Sequence, residues 1–388
     1  MSNFPVPEPD RRTKGKSREN NNTMNSNNSK NNFIENSNPF KQFYNNQNDN
    51  NTPIEKLDFE KPNNNMAIVK LKHIEDMRQK ILNYKLLSEK TMFLTSNSSN
   101  FFINKCNIIL FGPSGSGKSS FIKSMYRALY NSSILPPDAM KKLIIKDTFH
   151  NEGTLCFSRL HLKEENNNSS GLILCDTRGH IKMNDNEKEQ FKILLNGNVK
   201  EGIKVEQRLE RNYLNLWEFW KKDSELFPKE IFNAEEIGID SFPHSIIFVF
   251  DGSSDEIIQK EDETFYKELI EISKKKGYEN IHIHVILTRI DIFEKLIFER
   301  NKLLPYTERS SKVSNLKDEK IEKVIDVLGV NRSNIHFIEN YHDDEEKENS
   351  YEIDYSLLKT MCDIINSCEL YILNYIHKYE TCFNSCFG

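Results

Sequence analysis

Residues 108–122 read Ile108-Ile109-Leu110-Phe111-Gly112-Pro113-Ser114-Gly115-Ser116-Gly117-Lys118-Ser119-Ser120-Phe121-Ile122. Four apolar residues form a short strand of the kind buried on both faces, a glycine-rich loop follows, and a helical run opens at Ser120. The loop satisfies G-x-x-x-x-G-K-[ST], in the strand–loop–helix order that gives the pattern its meaning. Glycines let the backbone wrap around phosphate oxygens, so that successive N–H groups and the positive end of the helix dipole face the anion. Gly112, Ser114, Gly115, Ser116, Gly117, Lys118, Ser119 and Ser120 are therefore the candidate phosphate-binding residues. Lys118 supplies a full charge toward the β- and γ-phosphates, and the Ser119 hydroxyl is placed to ligate Mg²⁺. All of these contacts go to phosphate, so the loop alone selects no base.

Outward from this loop, short apolar runs alternate with helical segments. The runs are Asn107–Phe111, Leu155–Leu162, Leu172–Cys175, Ile246–Phe250, Ile281–Leu287 and Ile335–Ile338. Helical candidates lie around Ser119–Tyr130, Glu187–Leu195, Asp262–Lys275, Asp318–Val327 and Tyr355–Tyr375, the last with Leu358, Met361, Ile365, Cys368 and Ile372 on one face. Alternation of this kind predicts an α/β fold: a P-loop domain with a mostly parallel sheet and helices on both faces. Ile68, Leu71, Ile74, Met77, Ile81 and Leu86 predict a leading helix over Met66–Leu94, followed by a polar linker to residue 100. Residues 101–380 are then the P-loop domain, with an insert at about 181–243 carrying Tyr213, Leu214, Trp217 and Trp220, and 381–388 a short tail. Residues 1–65, rich in Asn, Ser, Lys and Pro, hold too little apolar surface to offset their ordering entropy, so a disordered tail is expected.

Two further segments narrow the ligand. Leu172-Ile173-Leu174-Cys175-Asp176 is an apolar strand ending in a carboxylate, which suits the second Mg²⁺ contact of a P-loop site. It opens Asp176-Thr177-Arg178-Gly179, a D-x-x-G pattern whose glycine N–H can meet a γ-phosphate and lose it after hydrolysis. Farther on, Ile283-His284-Val285-Ile286-Leu287 leads into Thr288-Arg289-Ile290-Asp291, which resembles the [N/T]-K-x-D guanine motif of the GTPase superfamily. A carboxylate there accepts two hydrogen bonds from guanine N1–H and its exocyclic amine, where adenine offers an acceptor at N1 and no amine at C2. Arg289 stands where lysine is usual, and its planar group can still stack on a base. The competing reading of Asp291 is a helix-opening residue after a strand.

Taken together, Ile108–Phe121, Leu172–Gly179, Ile246–Ser253 and Ile286–Asp291 resemble the interferon-induced protein 44 family of GTP-binding proteins, over about residues 66–380. The resemblance implies a cytoplasmic P-loop G domain, GTP and GDP as ligands, and, by name only, an association with host defence. It also makes Asn340, in Ile338-Glu339-Asn340-Tyr341, the counterpart of a base-contacting residue. Arg178 and His180 depart from the family's pattern. His180 stands where Ras-like proteins place a water-orienting glutamine, and either a water-handling role or an ordinary exposed loop position fits it. The hydrolytic residue is unassigned, with His180 and Thr154 as candidates. Thr154, or else Thr148, is the switch-I threonine that would join Ser119 and Asp176 at the metal. Arg178 is a candidate internal substitute for an arginine finger.

Composition bounds the alternatives. The chain has 388 residues and a formal net charge of −5, so no global field argues for nucleic acid. The basic cluster Arg11, Arg12, Lys14, Lys16 and Arg18 reads as a solvated run. Seven cysteines without paired C-x-x-C spacing suit a reducing compartment, and no apolar stretch approaches the length of a membrane span. Cys382 and Cys386 lie outside any prenylation box. A transporter ATPase would need a Leu-Ser-Gly-Gly-Gln signature, which is absent, and a nucleotide kinase gives no reason for the later motifs. A metal site at His282 and His284 lacks a third ligand. The expectation is Mg²⁺-dependent GTP binding with slow hydrolysis to GDP. The rival is a GTP- or GDP-binding module with negligible hydrolysis, completed by a protein effector or a second copy.

Overall fold

The computed structural model describes residues 64–86, 105–144, 157–163, 171–180, 183–197, 199, 242–275, 281–342 and 349–387. The tail before residue 64, Thr148, Thr154 and the insert's two tryptophans lie outside them, as do the side chains of Cys382 and Cys386. Residues from Pro62 onward belong to one compact unit.

The helices are α1 (Asn64–Leu82), α2 (Lys118–Tyr130), α3 (Pro137–Ile144), α4 (Asp185–Leu195), α5 (Glu263–Ser273), α6 (Ile290–Arg300), α7 (Tyr306–Leu328) and α8 (Tyr351–Phe387). The strands are β1 (Cys106–Phe111), β2 (Ser158–His161), β3 (Leu172–Asp176), β4 (Pro243–Asp251), β5 (His282–Thr288) and β6 (Ile335–Phe337). They form one sheet in the order β2-β3-β1-β4-β5-β6, with only β2 antiparallel to its neighbour. β1 and β3 are buried at every position, as continuous apolar runs require when helices cover both faces. β2, at the edge, alternates buried with half-buried residues.

Register shows that both faces are covered. Phe248 of β4 meets Phe191 of α4 and Tyr266 of α5. His284 of β5, one residue out of phase with the partner of Phe248, bonds instead to Ser367 of α8 at 2.9 Å. His284 Nδ1 lies 3.1 Å from His336, and burial pushes both imidazoles well below their usual pKa, to about 3 for His284 and about 4 for His336. That pair belongs to sheet–helix packing. The α/β fold expected from the sequence, a mostly parallel sheet with helices on both faces, is what the structure shows, and the sheet's strand order sets the C-terminal ends of β1, β3, β4 and β5 side by side.

α1 stops at Leu82 rather than continuing as the sequence pattern suggested, and Asn83–Leu86 is not helical. It docks against α8 and α2, with Ile74, Met77 and Ile81 buried. Arg78 donates to the Ala128 carbonyl near the end of α2 at 2.6 Å and pairs with Asp354 of α8 at 2.5 Å. Asp354 is 2% exposed and also accepts from the Tyr341 hydroxyl at 2.8 Å. A buried carboxylate needs such partners, because leaving one ion uncompensated is strongly destabilising. Two helices were not anticipated. α3 opens at Pro137, where a fixed φ and a missing N–H suit the first helical position, and α6 holds Asp291 in its first turn.

Candidate functional site

The phosphate loop closes from its own residues. Gly112, Gly115 and Gly117 have φ of 158°, 76° and 95°. At Gly112 a Cβ would sit 2.1 Å from the Val249 carbonyl oxygen, so the loop runs directly beneath β4. Lys118 folds back and donates to the carbonyls of Gly112 at 2.9 Å and Pro113 at 2.7 Å. Burial lowers its pKa to about 8, with Asp176 and Glu187 acting in the opposite direction. A cation so enclosed gains from an anion beside it. Ser116 is buried, Ser114 and Gly115 are exposed, and Ser120 is exposed on the first turn of α2.

β3 delivers Asp176 to the same place. Its Oδ2 accepts from the Ser119 hydroxyl at 2.8 Å, and the residue is wholly buried. Thr177 turns inward and donates to the Leu110 carbonyl at 2.6 Å, holding the end of β3 against β1. Ser119 and Asp176 present hard oxygen atoms, the donor type that Mg²⁺ takes in company with phosphate oxygens and water. Among the described residues there is no cluster of three or more His, Cys, Asp or Glu that would hold a metal on its own.

Gly179 and His180 cross the phosphate loop. A Cβ on Gly179 would stand 2.4 Å from Ser114 Cα. Ser114 N–H donates to the His180 carbonyl at 3.0 Å, and His180 N–H to the Gly112 carbonyl at 3.3 Å. The imidazole of His180 is buried at 2% exposure, stacked on Phe111 and flanked by Phe265 and Tyr266. Its Nε2 lies 2.8 Å from the Tyr266 hydroxyl. The exposed-loop reading of His180 is corrected by this geometry, because three aromatic neighbours enclose the ring; its buried Nδ1 has no hydrogen-bond partner among the described residues. Burial and the nearby Lys118 charge push its pKa down to about 3, so it is neutral. Arg178, beside it, is half-buried.

The β5–α6 turn meets the loop from the other side. Thr288 donates to the Ser116 carbonyl at 2.7 Å and lies under Gly117, where a Cβ would stand 3.1 Å from its Oγ1. Arg289 takes a left-handed conformation, φ 57°. Its guanidinium pairs with Asp251 at the end of β4 and donates to the Gly115 carbonyl at 3.1 Å. Asp251 also accepts from Ser253 N–H and its hydroxyl. Asp291, half-exposed, faces the rim with His342 Nε2 3.9 Å away. Asn340, on the loop after β6, stands with Nδ2 3.3 Å from a Cβ placed on Gly117, and its buried Oδ1 has no hydrogen-bond partner. The next residue, Tyr341, donates its N–H to Ser124 of α2 at 2.8 Å.

The structure thus brings Gly112–Ser120, Asp176, Gly179, Thr288, Arg289 and Asn340 together, while Asp291, in the first turn of α6, has His342 as its neighbour. Sequence reasoning assigned no role to Asp251, Tyr266 or His342. Asp251 lay inside a quoted motif, but its pairing with Arg289 depends on strand order, and nothing local marks the other two.

No protein-family model matches the chain, and no curated protein matches it. Among solved structures, it is similar to the S. cerevisiae Ski7 GTPase-like domain bound to GDP and inorganic phosphate, with TM-score 0.33, 14% identity, and coverage of 66% of this chain and 49% of that one. The same domain bound to GTP gives TM-score 0.34 and 15% identity, covering 66% and 50%. The chain spans about half the length of these structures.

Proposed function

We propose that this protein binds GTP and GDP in the crevice at the C-terminal ends of β1, β3, β4 and β5. The observation that carries the reading is the bonding of the Thr288-Arg289-Ile290-Asp291 turn to the phosphate loop, through Thr288 to Ser116 O and Arg289 to Gly115 O. One ligand can then meet the loop with its phosphates and Asp291 with its base. Lys118 and the loop N–H groups hold the β- and γ-phosphates, Ser119 and Asp176 hold Mg²⁺, Gly179 faces the γ-phosphate, and Asp291 with Asn340 reads guanine. Mg²⁺, when bound, would neutralise phosphate charge there. Orphaned Oδ1 of Asn340 is an acceptor suited to a base N–H or amine.

The test is calorimetric titration of the full chain with GTP, GDP and ATP in the presence of Mg²⁺. Guanine nucleotides should bind and ATP should not; equal binding of ATP would remove the guanine assignment.

His180 favours a second reading, a nucleotide-binding module with negligible hydrolysis, because the candidate water-orienting ring is locked in the core. A partner or a second copy would then supply what hydrolysis needs. Phosphate release over many turnovers, lost in Lys118→Ala, would decide for the slow GTPase. The finer resemblance to the interferon-induced protein 44 family rests on the four motifs quoted above. Cytoplasmic location fits cysteines without paired spacing, and no described helix is long and apolar enough to cross a membrane.

A further inference from the structure

The D-x-x-G glycine of a nucleotide switch needs freedom to approach and leave a γ-phosphate. Here the segment is fastened at three points. Two backbone hydrogen bonds join His180 to Gly112 and Ser114, and Gly179 fits against Ser114 with no room for a Cβ. The third fastening is the His180 ring, sunk among Phe111, Phe265 and Tyr266 and bonded to the Tyr266 hydroxyl at 2.8 Å. Tyr266 is itself 1% exposed and packed on Phe248 and Phe250 of β4. It is therefore a fixed point of the core. Swinging Gly179 away would break the backbone bridge or draw a buried ring into water.

We propose that His180 is a positioning residue, anchored by Tyr266, that presets Gly179 against the phosphate loop before nucleotide arrives. The inference rests on the guanine-nucleotide reading above and concerns how that site treats the third phosphate. A preset N–H meets the γ-phosphate without the ordering cost of a mobile segment, so GTP gains relative to GDP, which has nothing for Gly179 to touch. Tyr266 acts on the ligand only through His180 and the strap. The carbonyl of Gly112 joins the two systems, since it accepts from both His180 N–H and Lys118 Nζ.

The experiment measures dissociation constants of the full chain for GDP and for a non-hydrolysable GTP analogue, in the original protein, in Tyr266→Phe and in His180→Phe. Tyr266→Phe removes one hydroxyl and leaves the aromatic packing; His180→Phe keeps a ring in the same slot. Each should weaken the GTP analogue about fivefold while GDP affinity stays within about twofold, the size expected for losing one buried hydrogen bond. If both ligands weaken together, the pair is merely structural and the proposal is wrong. No change in either ligand, with the thermal midpoint unmoved, overturns it too, because the strap then holds without the bond. If the unaltered protein binds neither ligand, the guanine reading itself has failed and takes this one with it.

Discussion

The two ends of the crevice are built differently. At the phosphate end, a single run from Gly112 to Ser119 supplies the glycines, the lysine and the hydroxyl, and Lys118 bonds to carbonyls of that same run. At the base end, Thr288, Arg289 and Asp291 from one turn meet Asn340 from another, and Asp251 from a third element holds Arg289. Lys118 is 5% exposed, whereas the Asp291 side chain is 28% exposed at the rim. Under the proposed reading, the enclosed charge of Lys118 contributes chiefly affinity and the partly exposed carboxylate of Asp291 chiefly discrimination.

The contrast is sharpest in Lys118→Ala, which should weaken GTP and GDP alike by at least about a hundredfold in titration calorimetry, as expected when one partner of an enclosed charge pair is removed. Retained binding would mean that the base end dominates. Asp291→Ala comes next. It should cost guanine nucleotides about thirtyfold, since it removes hydrogen bonds to a charged acceptor without altering the phosphates. Unchanged affinity for GTP and GDP would show that Asp291 only opens α6.

Acidity separates the ends by another route. Burial lowers the pKa of Lys118 to about 8, and a bound phosphate would favour its charged form. Affinity should therefore be full below that value and fall as the pH rises through it, about tenfold between about pH 7 and about pH 9. Titrations of GDP across this range check the sign, and Asp291→Ala should keep the same slope. The smallest effect expected is that of Thr288→Val, which removes the hydroxyl tying the two ends together. Its loss should be about fivefold for GTP and GDP by the same titration, with a modest drop in thermal midpoint.

This division also governs what the sequence could reveal. The strand–loop–helix segment was legible because its parts are contiguous in the chain, although the close approach of Gly112 to Val249 and of Gly117 to Thr288 depends on the fold. The sheet followed from continuous apolar runs. α6 was hidden because Ile292 and Leu296, exposed on its outer side, blur the stripe formed by Ile290, Phe293 and Ile297. α3 was hidden because Pro136-Pro137 reads as a break although the second proline begins a helix. The length of α7, from Tyr306, exceeds its apolar stretch, since its first two turns are mostly exposed. The burial of His180 was not legible at all, for it depends on Phe265 and Tyr266, which reach it only through the fold.

Arg78 sets where an autonomous piece of this protein can begin. Its guanidinium joins α1 to Asp354, and Asp354 holds the tyrosine that follows Asn340. Trimming the chain to just before β1 would keep every recognisable motif, yet it would strand a carboxylate in the interior and loosen the loop that carries Asn340. The smallest unit that keeps these contacts is therefore wider than the signature sequences, and includes α1.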